Sequence, residues 1–437
     1  MGAMEDRRRR DRVEDVRRDL VENGQTGCSR RRFIVYSAAG PLALAAVRQA
    51  RPETAPGTAR EDFVVQETPS RCFSHRGNGS EEMKWGPVGE YGDLIPNDRF
   101  YIHNRARPPR IDRSSWRLEI TGDAVLRPRS FSYAELLALP QVTLRRTLDC
   151  GANCSAFYPE LPPSGDGRWL PTGYTQWHFG AVGCAEWTGV RVGDVLAAAG
   201  LGDAADVRFV GLDEIATPEG TVHYSEVVAA DKALRDDSLL VHHMNGADLP
   251  VDHGYPLRVL LSGWGANTAV KWLGTIEAST RVLPARGLQR NQVLTGPSYP
   301  TPVRPTVGRI RSAIELDEGV TLPPGDHTLH GRAWSGAGTI DRVDVKIERL
   351  TAPGRWAEET PWREARLLTP PEPLIWVRFE VPWRSARPGR YRVMSRARDK
   401  AGNVQPRPSD VPWNQHGLGY NGHAPLYLTV LPPRTMP

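Results

Sequence analysis

The chain has 437 residues, of which 39% are hydrophobic, and it contains 13 tryptophans. At about 150 residues per domain, this length predicts two or three folded domains rather than one core. The net charge of +5 belongs to residues 1–60, where 13 arginines outnumber 8 acidic residues, and the remainder balances 43 basic with 43 acidic residues. The folded part therefore lacks the basic excess of a nucleic-acid-binding protein, and we expect no nucleic acid as partner.

The cysteines do not form a disulfide framework. There are five, at positions 28, 72, 150, 154 and 184, which is far too few for a disulfide-dense fold of this length. Cys28 lies in the presumed leader, and if Cys150 holds a metal, an odd number is left to pair. The other four could pair in three ways in an oxidising compartment, so we assign no disulfide bridge from the sequence.

Residues 1–47 have the pattern of an export segment. A charged stretch to residue 28 leads to Ser29-Arg30-Arg31-Arg32-Phe33-Ile34 and then to an uncharged run up to Val47 that ends in small residues. This resembles a twin-arginine signal, which exports folded proteins that often carry a cofactor, so we expect a periplasmic or other extracytoplasmic location. Two alternatives stay open. One is a membrane anchor, although the run is shorter than the roughly 20 residues that span a bilayer; the other is an ordinary alanine-rich helix.

Folded elements are predicted from about residue 85 onward. Residues 48–84 are polar and rich in Pro, Gly and Arg, which indicates a linker or a wrapping segment. Beyond them, strands are predicted at 116–121, 207–211 and 239–241 and after 252–258, and helices at 133–139 and 192–199. Pro140 and Gly200 follow the two helices as stop signals. This mixture predicts an α+β domain over residues 85–300.

The pattern changes beyond Pro300. Strand-like segments separated by Gly, Pro and Asp turns occupy 310–316, 327–334, 342–347, 375–381 and 389–396, and none has helical periodicity. Residues 301–437 are therefore predicted to form an antiparallel β-sandwich of the immunoglobulin-like kind.

Cys150 is the first candidate for chemistry. It ends an apolar run, and Gly151-Ala152 follow at once, so the backbone can turn sharply and a large group can approach the sulfur. A thiolate is a soft donor that binds soft or high-valent metals. The spacing alone also allows a buried cysteine that only packs. A structural zinc site with Cys154, Cys184 and His178 has unfavourable spacing.

Several separated segments, taken together, resemble the sulfite oxidase-type family of molybdopterin-dependent oxidoreductases over nearly all of residues 85–430. They are Phe100-Tyr101-Ile102-His103-Asn104, Leu148-Asp149-Cys150 with Asn153, Trp177-His178-Phe179-Gly180-Ala181, Gly211-Leu212-Asp213, Met244-Asn245-Gly246, Asp252-His253-Gly254-Tyr255-Pro256-Leu257-Arg258, Val270-Lys271-Trp272-Leu273, and in the sandwich Gly331-Arg332-Ala333-Trp334-Ser335-Gly336 and Gly402-Asn403-Val404-Gln405-Pro406.

The resemblance implies a cofactor and a set of site residues. Molybdenum would be held by molybdopterin and by the thiolate of Cys150, and Cys150 and Trp177 would be the catalytic positions. The cofactor would be contacted by His103, Asn104, Asp213, His253, Arg258 and Lys271. These residues offer the cations and polar groups that a phosphate and a pterin edge require.

The resemblance also implies a reaction and partners. We expect an oxygen-atom transfer on a small sulfur oxyanion or organic sulfur compound, and a homodimer formed through the sandwich. The sequence has no C-x-x-C-H haem motif, and no cytochrome-like unit is recognised before the domain. Electrons are therefore expected to pass to a separate carrier such as a cytochrome. The alternative is a binding or scaffold protein that keeps the fold without catalysis.

Four departures from the family concern the substrate pocket. The family's arginine-asparagine-histidine triplet reads His103-Asn104-Arg105, its arginine-rich segment after the cysteine reads Cys154-Ser155, its lysine before Trp177 is missing, and Gln289-Arg290-Asn291-Gln292-Val293 puts Val293 at the position of a tyrosine. We therefore expect a pocket rebuilt around other groups and place sulfite itself in question as substrate. The candidates to refill the pocket are Tyr158, Tyr174, His178 and Tyr299.

Overall fold

A computed structural model describes residues 63–77, 79–158, 175–218 and 220–432. The predicted export signal at 1–47, the first part of the predicted linker and Tyr174 lie outside these ranges. Within the predicted linker or wrapping segment, residues 73–83 form two paired strands, and the second of them also pairs with the strand that ends at His103.

The N-terminal part is built from short strands and three short α-helices. The strands are β1 (Phe73–Gly77), β2 (Ser80–Met83), β3 (Ile102–His103), β4 (Arg117–Thr121), β5 (Arg129–Ser132), β6 (Gln141–Asp149), β7 (Val182–Arg191), β8 (Asp206–Gly211), β9 (Ile215–Thr217), β10 (Gly220–Val222), β11 (Ser225–Ala229), β12 (Ser238–Met244), β13 (Ala247–Asp248), β14 (Arg258–Leu261), β15 (Leu273–Ser279), β16 (Leu294–Gly296) and β17 (Tyr299–Val303). The helices in the described ranges are α1 (Tyr133–Leu137), α2 (Val192–Ala198) and α3 (Ala230–Ala233).

Two five-stranded sheets carry this part. One has the order β11-β8-β15-β4-β5; the other has the order β13-β12-β7-β6, with β14 joined to β12. Alternate residues of β12 enter different cores: Leu240 packs in the core between the two sheets, whereas Leu239 and Val241 pack in a second core with Cys150 and Trp177. The second sheet is thus buried on both faces, as the apolar sequence of β12 requires.

The prediction of an α+β domain is met only in part, because strands dominate and the three described α-helices have five, seven and four residues. The helix predicted at 133–139 begins at a capping box of Ser132 and Glu135 and ends at Leu137, shortly before Pro140. The helix predicted at 192–199 ends one residue early, and Gly200 follows with φ +73°. Its positive φ is the left-handed conformation that commonly ends a helix.

The C-terminal part consists of two further sheets. Its strands are β18 (Arg311–Ile314), β19 (Thr321–Leu322), β20 (Gly325–Trp334), β21 (Ile340–Ala352), β22 (Arg355–Glu364), β23 (Arg366–Leu367), β24 (Val377–Ala386), β25 (Gly389–Asp399) and β26 (Leu426–Val430). The sheet orders are β18-β20-β24-β23 and β19-β26-β25-β21-β22, and apolar residues from both fill one core. Every strand-like segment predicted beyond residue 300 overlaps one of these strands. An immunoglobulin-like topology for this part stays a prediction.

An ion pair joins the two parts directly behind the candidate site. Arg311 of β18 contacts the carboxylate of Asp149, the residue before Cys150, and the two side chains are only 2% and 7% exposed. Arg311 also donates to the carbonyl of Tyr420 over 2.7 Å, and Asn153 donates to Asp149 over 2.9 Å. Because both charges are buried, each depends on the other to offset its lost hydration.

The described residues contain no helix that is long and apolar enough to cross a membrane.

We predict that Arg311→Met lowers the free energy of unfolding by about 3 kcal/mol, because it leaves the buried Asp149 carboxylate without its cation. Arg366→Met is the matched control, since Arg366 pairs with Glu380 across a surface where its side chain is 71% exposed; its loss should cost about 1 kcal/mol or less. Urea denaturation of both variants measures the difference. Equal losses would contradict the role given to the buried pair.

Candidate active site

One cavity gathers most of the residues that the sequence singled out. It holds about 1050 Å³ of empty space, its open mouth included, which is the size of a small-molecule or cofactor site. Of the eight predicted site residues, seven are in its wall: His103, Cys150, Trp177, Asp213, His253, Arg258 and Lys271. Asn104 does not line the cavity, but its side chain contacts Lys271 from behind. The positions therefore converge in space, while the role of each residue stays a prediction.

Cys150 is held where β6 ends. Its backbone N–H donates to the carbonyl of Ala181 over 2.9 Å, and its own carbonyl accepts from the N–H of Asn153 over 2.9 Å. Space beside the following glycine is tight, because a Cβ at position 151 would lie 2.9 Å from Asn267 Oδ1 and that side chain would have to shift. Burial raises the pKa of the Cys150 thiol to about 11. Its thiolate form therefore needs a strong positive partner, which a metal ion provides.

Cys154 is turned away from the cavity. It takes a left-handed backbone conformation with φ +68° and packs, 1% exposed, in a small cluster with Tyr420 and Ala424. The four described cysteines form no disulfide. No three His, Cys, Asp or Glu side chains of the described residues come together as a metal-binding group, so the zinc alternative finds no support there.

Lys271 ties three distant segments together at the wall. Its ammonium donates to the carbonyls of His103 over 3.0 Å and Asp252 over 2.8 Å, and to Asn104 Oδ1. Asn104 in turn donates to the Asp252 carboxylate over 2.9 Å. Burial, with Arg258 nearby, lowers the pKa of Lys271 to about 7. An anion in the cavity would favour its charged form.

His253 and Arg258 form a second buried cationic corner. The guanidinium donates to the His253 carbonyl over 2.9 Å and lies 5.3 Å from the centre of the Trp187 ring. His253 Nε2 donates to the carbonyl of Asn97 over 3.0 Å. Burial lowers the pKa of His253 to about 3 and that of Arg258 to about 10. The imidazole is therefore neutral, and Arg258 carries the charge of this corner.

Trp177 and His103 pack against each other in the wall. Trp177 is 1% exposed and meets His103 edge to face at 5.5 Å between ring centres. The His103 Nδ1 is hydrogen-bonded to the Ser80 hydroxyl over 2.8 Å. Burial and the charges of Arg105 and Lys271 hold the pKa of His103 well below its ordinary value. The imidazole of His103 is therefore neutral.

Asp213 lies at the end of β8. Its carboxylate accepts from the backbone N–H of Tyr224 over 3.1 Å, and burial raises its pKa. A Cβ at position 211 would lie 2.6 Å from Asp213 Oδ1, so the glycine of the Gly211-Leu212-Asp213 segment leaves room for this carboxylate.

Four residues that sequence reasoning did not place also line the cavity: Arg105, Tyr224, Asn267 and Gln292. Arg105 stands in the reordered triplet His103-Asn104-Arg105. Burial lowers the pKa of His103 and the charge of Arg105 adds to that effect, whereas at Cys150 the same charge offsets part of the rise in pKa that burial causes. The sequence therefore did hint at Arg105, because the reversed order of the triplet places an arginine at its third position. Gln292, rather than the neighbouring Val293, reaches the cavity from the segment where a tyrosine was expected. Nothing in the sequence pointed to Tyr224 or Asn267.

The residues proposed to refill the pocket lie elsewhere. Tyr158 donates to the carbonyl of Leu418 over 2.9 Å and packs against Tyr420. His178 contacts Arg76 over 2.6 Å in a separate cavity. Tyr299 belongs to β17 and does not line the first cavity. For these three the expectation was wrong, because cavity access depends on strand packing that spacing does not reveal; Tyr174 lies outside the described residues.

The wall fits a molybdopterin cofactor. Among the described residues, no carboxylate lies within ion-pair distance of Lys271 or Arg258, and Arg258 Nε is buried without a hydrogen-bond partner. Buried charges in this state call for an anionic ligand. Lys271 and Arg258 would serve the phosphate-bearing pterin, and the Cys150 sulfur would serve the metal. Fold and site together define a molybdopterin-binding oxidoreductase.

Comparison with known proteins identifies the family. The oxidoreductase molybdopterin binding domain matches residues 105–286, and the Mo-co oxidoreductase dimerisation domain matches residues 309–424. Sulfite oxidase from Gallus gallus is 31% identical over 74% of this chain and 71% of its own length, and the mitochondrial sulfite oxidase from Mus musculus is 30% identical over 78% of this chain and 62% of its own length. The chain thus spans roughly two thirds of these relatives.

One solved structure extends the likeness in fold. The sulfane dehydrogenase SoxCD from Paracoccus pantotrophus superposes with a TM-score of 0.66 at 21% identity, covering 88% of this chain and 92% of that chain. The chain therefore belongs to the sulfite oxidase-type family of molybdopterin-dependent oxidoreductases, whose cofactor is molybdenum bound to molybdopterin.

We predict that Lys271→Met lowers the affinity for the cofactor about tenfold or more, because it removes a positive charge from the cavity wall. The molybdenum-to-protein ratio of purified protein measures this. Lys232→Met is the matched control, since Lys232 also donates to a backbone carbonyl, that of Ser262 over 2.8 Å, but does not line the cavity. An unchanged ratio in Lys271→Met, or an equal loss in both variants, would contradict the assignment.

Proposed function

We propose that this protein is an exported molybdenum oxidoreductase that adds an oxygen atom to a small sulfur oxyanion and passes the electrons to a separate carrier. In the balanced reaction, water supplies the oxygen atom, two protons are released and two electrons leave. The molybdenum cofactor, when bound, supplies the redox chemistry for this two-electron change. The remaining groups of the cavity bind and orient the substrate.

The observation that carries the proposal is the position of Arg105. Its charge acts on Cys150, His103 and Tyr224, which are three residues of one wall. Arg105 itself is half-buried and lines the same cavity. A guanidinium is suited to an oxyanion because its fork of donors matches two oxygens at once. The cationic side chain thus lies within electrostatic reach of the metal-ligand position, where an anionic substrate has to be held.

The rest of this wall is buried and largely aromatic. Tyr101, Trp177 and Phe100 line the cavity, and each is less than 7% exposed. Such walls exclude water around a charged substrate and strengthen the pull of Arg105 on it. Uncharged organic sulfur compounds, the other expected substrate class, could not form an ion pair with Arg105, so a sulfur oxyanion is the preferred substrate.

A binding or scaffold role is the competing proposal. It was motivated by the altered substrate residues, but Cys150, Lys271 and Arg258 all line one cavity. A scaffold would not require a buried arginine and a half-buried lysine in the wall of the cavity that holds the cysteine, because withdrawing their charges from water costs stability. The catalytic proposal is therefore preferred.

We predict that Arg105→Gln raises the KM for sulfite about tenfold or more while the molybdenum content stays unchanged, because the variant loses charge near the substrate and not at the cofactor. Turnover of sulfite, thiosulfate and a sulfoxide with an artificial redox dye provides the assay. Arg107→Gln is the control, since Arg107 is two positions away and exposed. Molybdenum-loaded protein without turnover of any of the three compounds would overturn the proposed reaction and favour the scaffold.

Export and assembly complete the proposal. The leader at 1–47 would carry the folded protein out of the cytoplasm, and the C-terminal part, proposed as an immunoglobulin-like sandwich, would pair two chains in a homodimer. The match of residues 309–424 to a dimerisation domain supports the second point. A separate cytochrome outside the cytoplasm would accept the electrons.

Export and dimerisation can both be measured on protein from one host that has the twin-arginine pathway. We predict that the protein is recovered outside the cytoplasm, and that Arg31→Lys combined with Arg32→Lys retains it inside. Light scattering is predicted to give about twice the mass of one folded chain. A cytoplasmic wild type, or the mass of a single chain at micromolar concentration, would contradict the respective part of the proposal.

A further inference from the structure

An uncharged polar cluster forms part of the cavity wall. We call it the Tyr224 cluster and define it as Tyr224, Glu226, Asn267, Gln289 and Gln292. Tyr224, Asn267 and Gln292 line the cavity, whereas Glu226 and Gln289 lie behind them and are each 1% exposed. Its members come from three separate segments, namely the start of β11, the loop before β15 and the segment before β16.

Hydrogen bonds fix the Tyr224 ring from several sides. The hydroxyl donates to the carbonyl of Asn267 over 2.7 Å and accepts from the amide of Gln292 over 2.6 Å. Glu226 Oε1 lies 3.2 Å from the same hydroxyl, and Glu226 Oε2 accepts from Gln289 over 2.7 Å. A phenol with this many partners is held in one orientation, which a substrate-contacting group requires.

The cluster keeps its part of the wall uncharged. Burial raises the pKa of Glu226 to about 8, so this carboxyl carries a proton at neutral pH. Burial also raises the pKa of Tyr224 well above its ordinary value, which keeps the phenol protonated. Gln292 Oε1 is buried without a hydrogen-bond partner. Since an unsatisfied buried amide oxygen is costly, Gln292 has capacity for a further donor, such as a water or a protonated ligand group.

The cluster also reaches the metal-ligand loop. Asn267 Oδ1 lies so close to the backbone at Gly151 that a Cβ there would be 2.9 Å away. Arg105, Tyr224 and Cys150 line the same cavity. The phenol, the guanidinium and the cysteine thus belong to one neighbourhood of the cavity.

We propose that Tyr224 is the residue that hydrogen-bonds an oxygen of the substrate beside the metal, and that Glu226, Gln289 and Gln292 are its positioning residues. The inference rests on the proposed oxyanion function, and it names the oxygen-binding partner of Arg105. When the substrate enters, the phenol hydroxyl turns from the Asn267 carbonyl to the substrate oxygen. In this proposal the positive charge of Arg105 attracts the substrate anion, and the hydrogen bond from Tyr224 orients it.

The principal test is Tyr224→Phe in the cofactor-loaded protein, which removes the hydroxyl and keeps the ring. We expect kcat/KM for sulfite to fall about 10- to 100-fold with an unchanged molybdenum content, the range for one lost directional bond to a charged group. Binding of sulfate, a product-like anion, measured by isothermal titration calorimetry, should weaken about tenfold. Tyr391→Phe is the matched control, because Tyr391 is buried and donates to the carbonyl of Arg387 over 2.7 Å in the sandwich.

The glutamate variants test the positioning role separately. Glu226→Gln resembles the protonated acid and should keep kcat/KM within about threefold of wild type, whereas Glu226→Leu removes the support behind the phenol and should lower kcat/KM about tenfold. The molybdenum content of both should equal that of wild type. Should Tyr224→Phe fail to fold, the two Glu226 variants still test whether a fixed Tyr224 phenol is needed for turnover.

The outcomes separate this inference from the proposed function. The role of Tyr224 would be overturned if Tyr224→Phe turned over sulfite and bound sulfate as well as wild type does. It would also be overturned if Tyr391→Phe lost as much turnover and binding as Tyr224→Phe. Either result would leave the oxyanion function standing. Absence of both sulfite turnover and sulfate binding in molybdenum-loaded wild type would overturn the proposed function and this inference together. A loss of molybdenum in Tyr224→Phe would make Tyr224 a cofactor-holding residue and also contradict the inference.

Discussion

The half-buried ammonium of Lys271 is the constraint on which the site depends. A charge in this position needs oxygen partners on several sides, and the fold supplies them from the carbonyls of His103 and Asp252 and the side chain of Asn104. The Asp252 carboxylate is occupied in turn by the backbone N–H groups of Val65 and Gln66. Segments separated by up to 187 residues in the chain are thereby fixed around one cavity.

This arrangement divides the cavity by charge. In the part of the chain that the structure describes, no carboxylate lies within ion-pair distance of the half-buried Lys271 or the buried Arg258. Both side chains can therefore attract an anionic ligand. Near Cys150 the wall is different, with one guanidinium from Arg105 and uncharged polar groups around Tyr224. This division agrees with the proposed roles, in which Lys271 and Arg258 serve the cofactor and Arg105 and Tyr224 serve the substrate.

The sequence allowed much of this to be predicted, for physical reasons. The positions predicted to bind the cofactor stand in short contiguous segments such as 252–258 and 270–273, so local order along the chain was enough to single them out, and most of them line one cavity. The substrate wall is assembled from residues far apart, and Tyr224 meets Gln292 only because β11 packs beside the segment before β16. No spacing rule predicts such a contact. The strand-rich sandwich was predictable because turn residues separate its segments, whereas the helices were overestimated because their periodic patterns are short.

The central claim is that the Cys150 thiolate binds molybdenum. X-ray absorption at the molybdenum edge, recorded on wild type and on Cys150→Ser loaded in the same host, tests it most directly. We predict that the wild-type metal has one more sulfur neighbour than the metal of the variant, because only the dithiolene sulfurs of the pterin remain after the substitution. The same number of sulfur neighbours in both proteins would contradict the account.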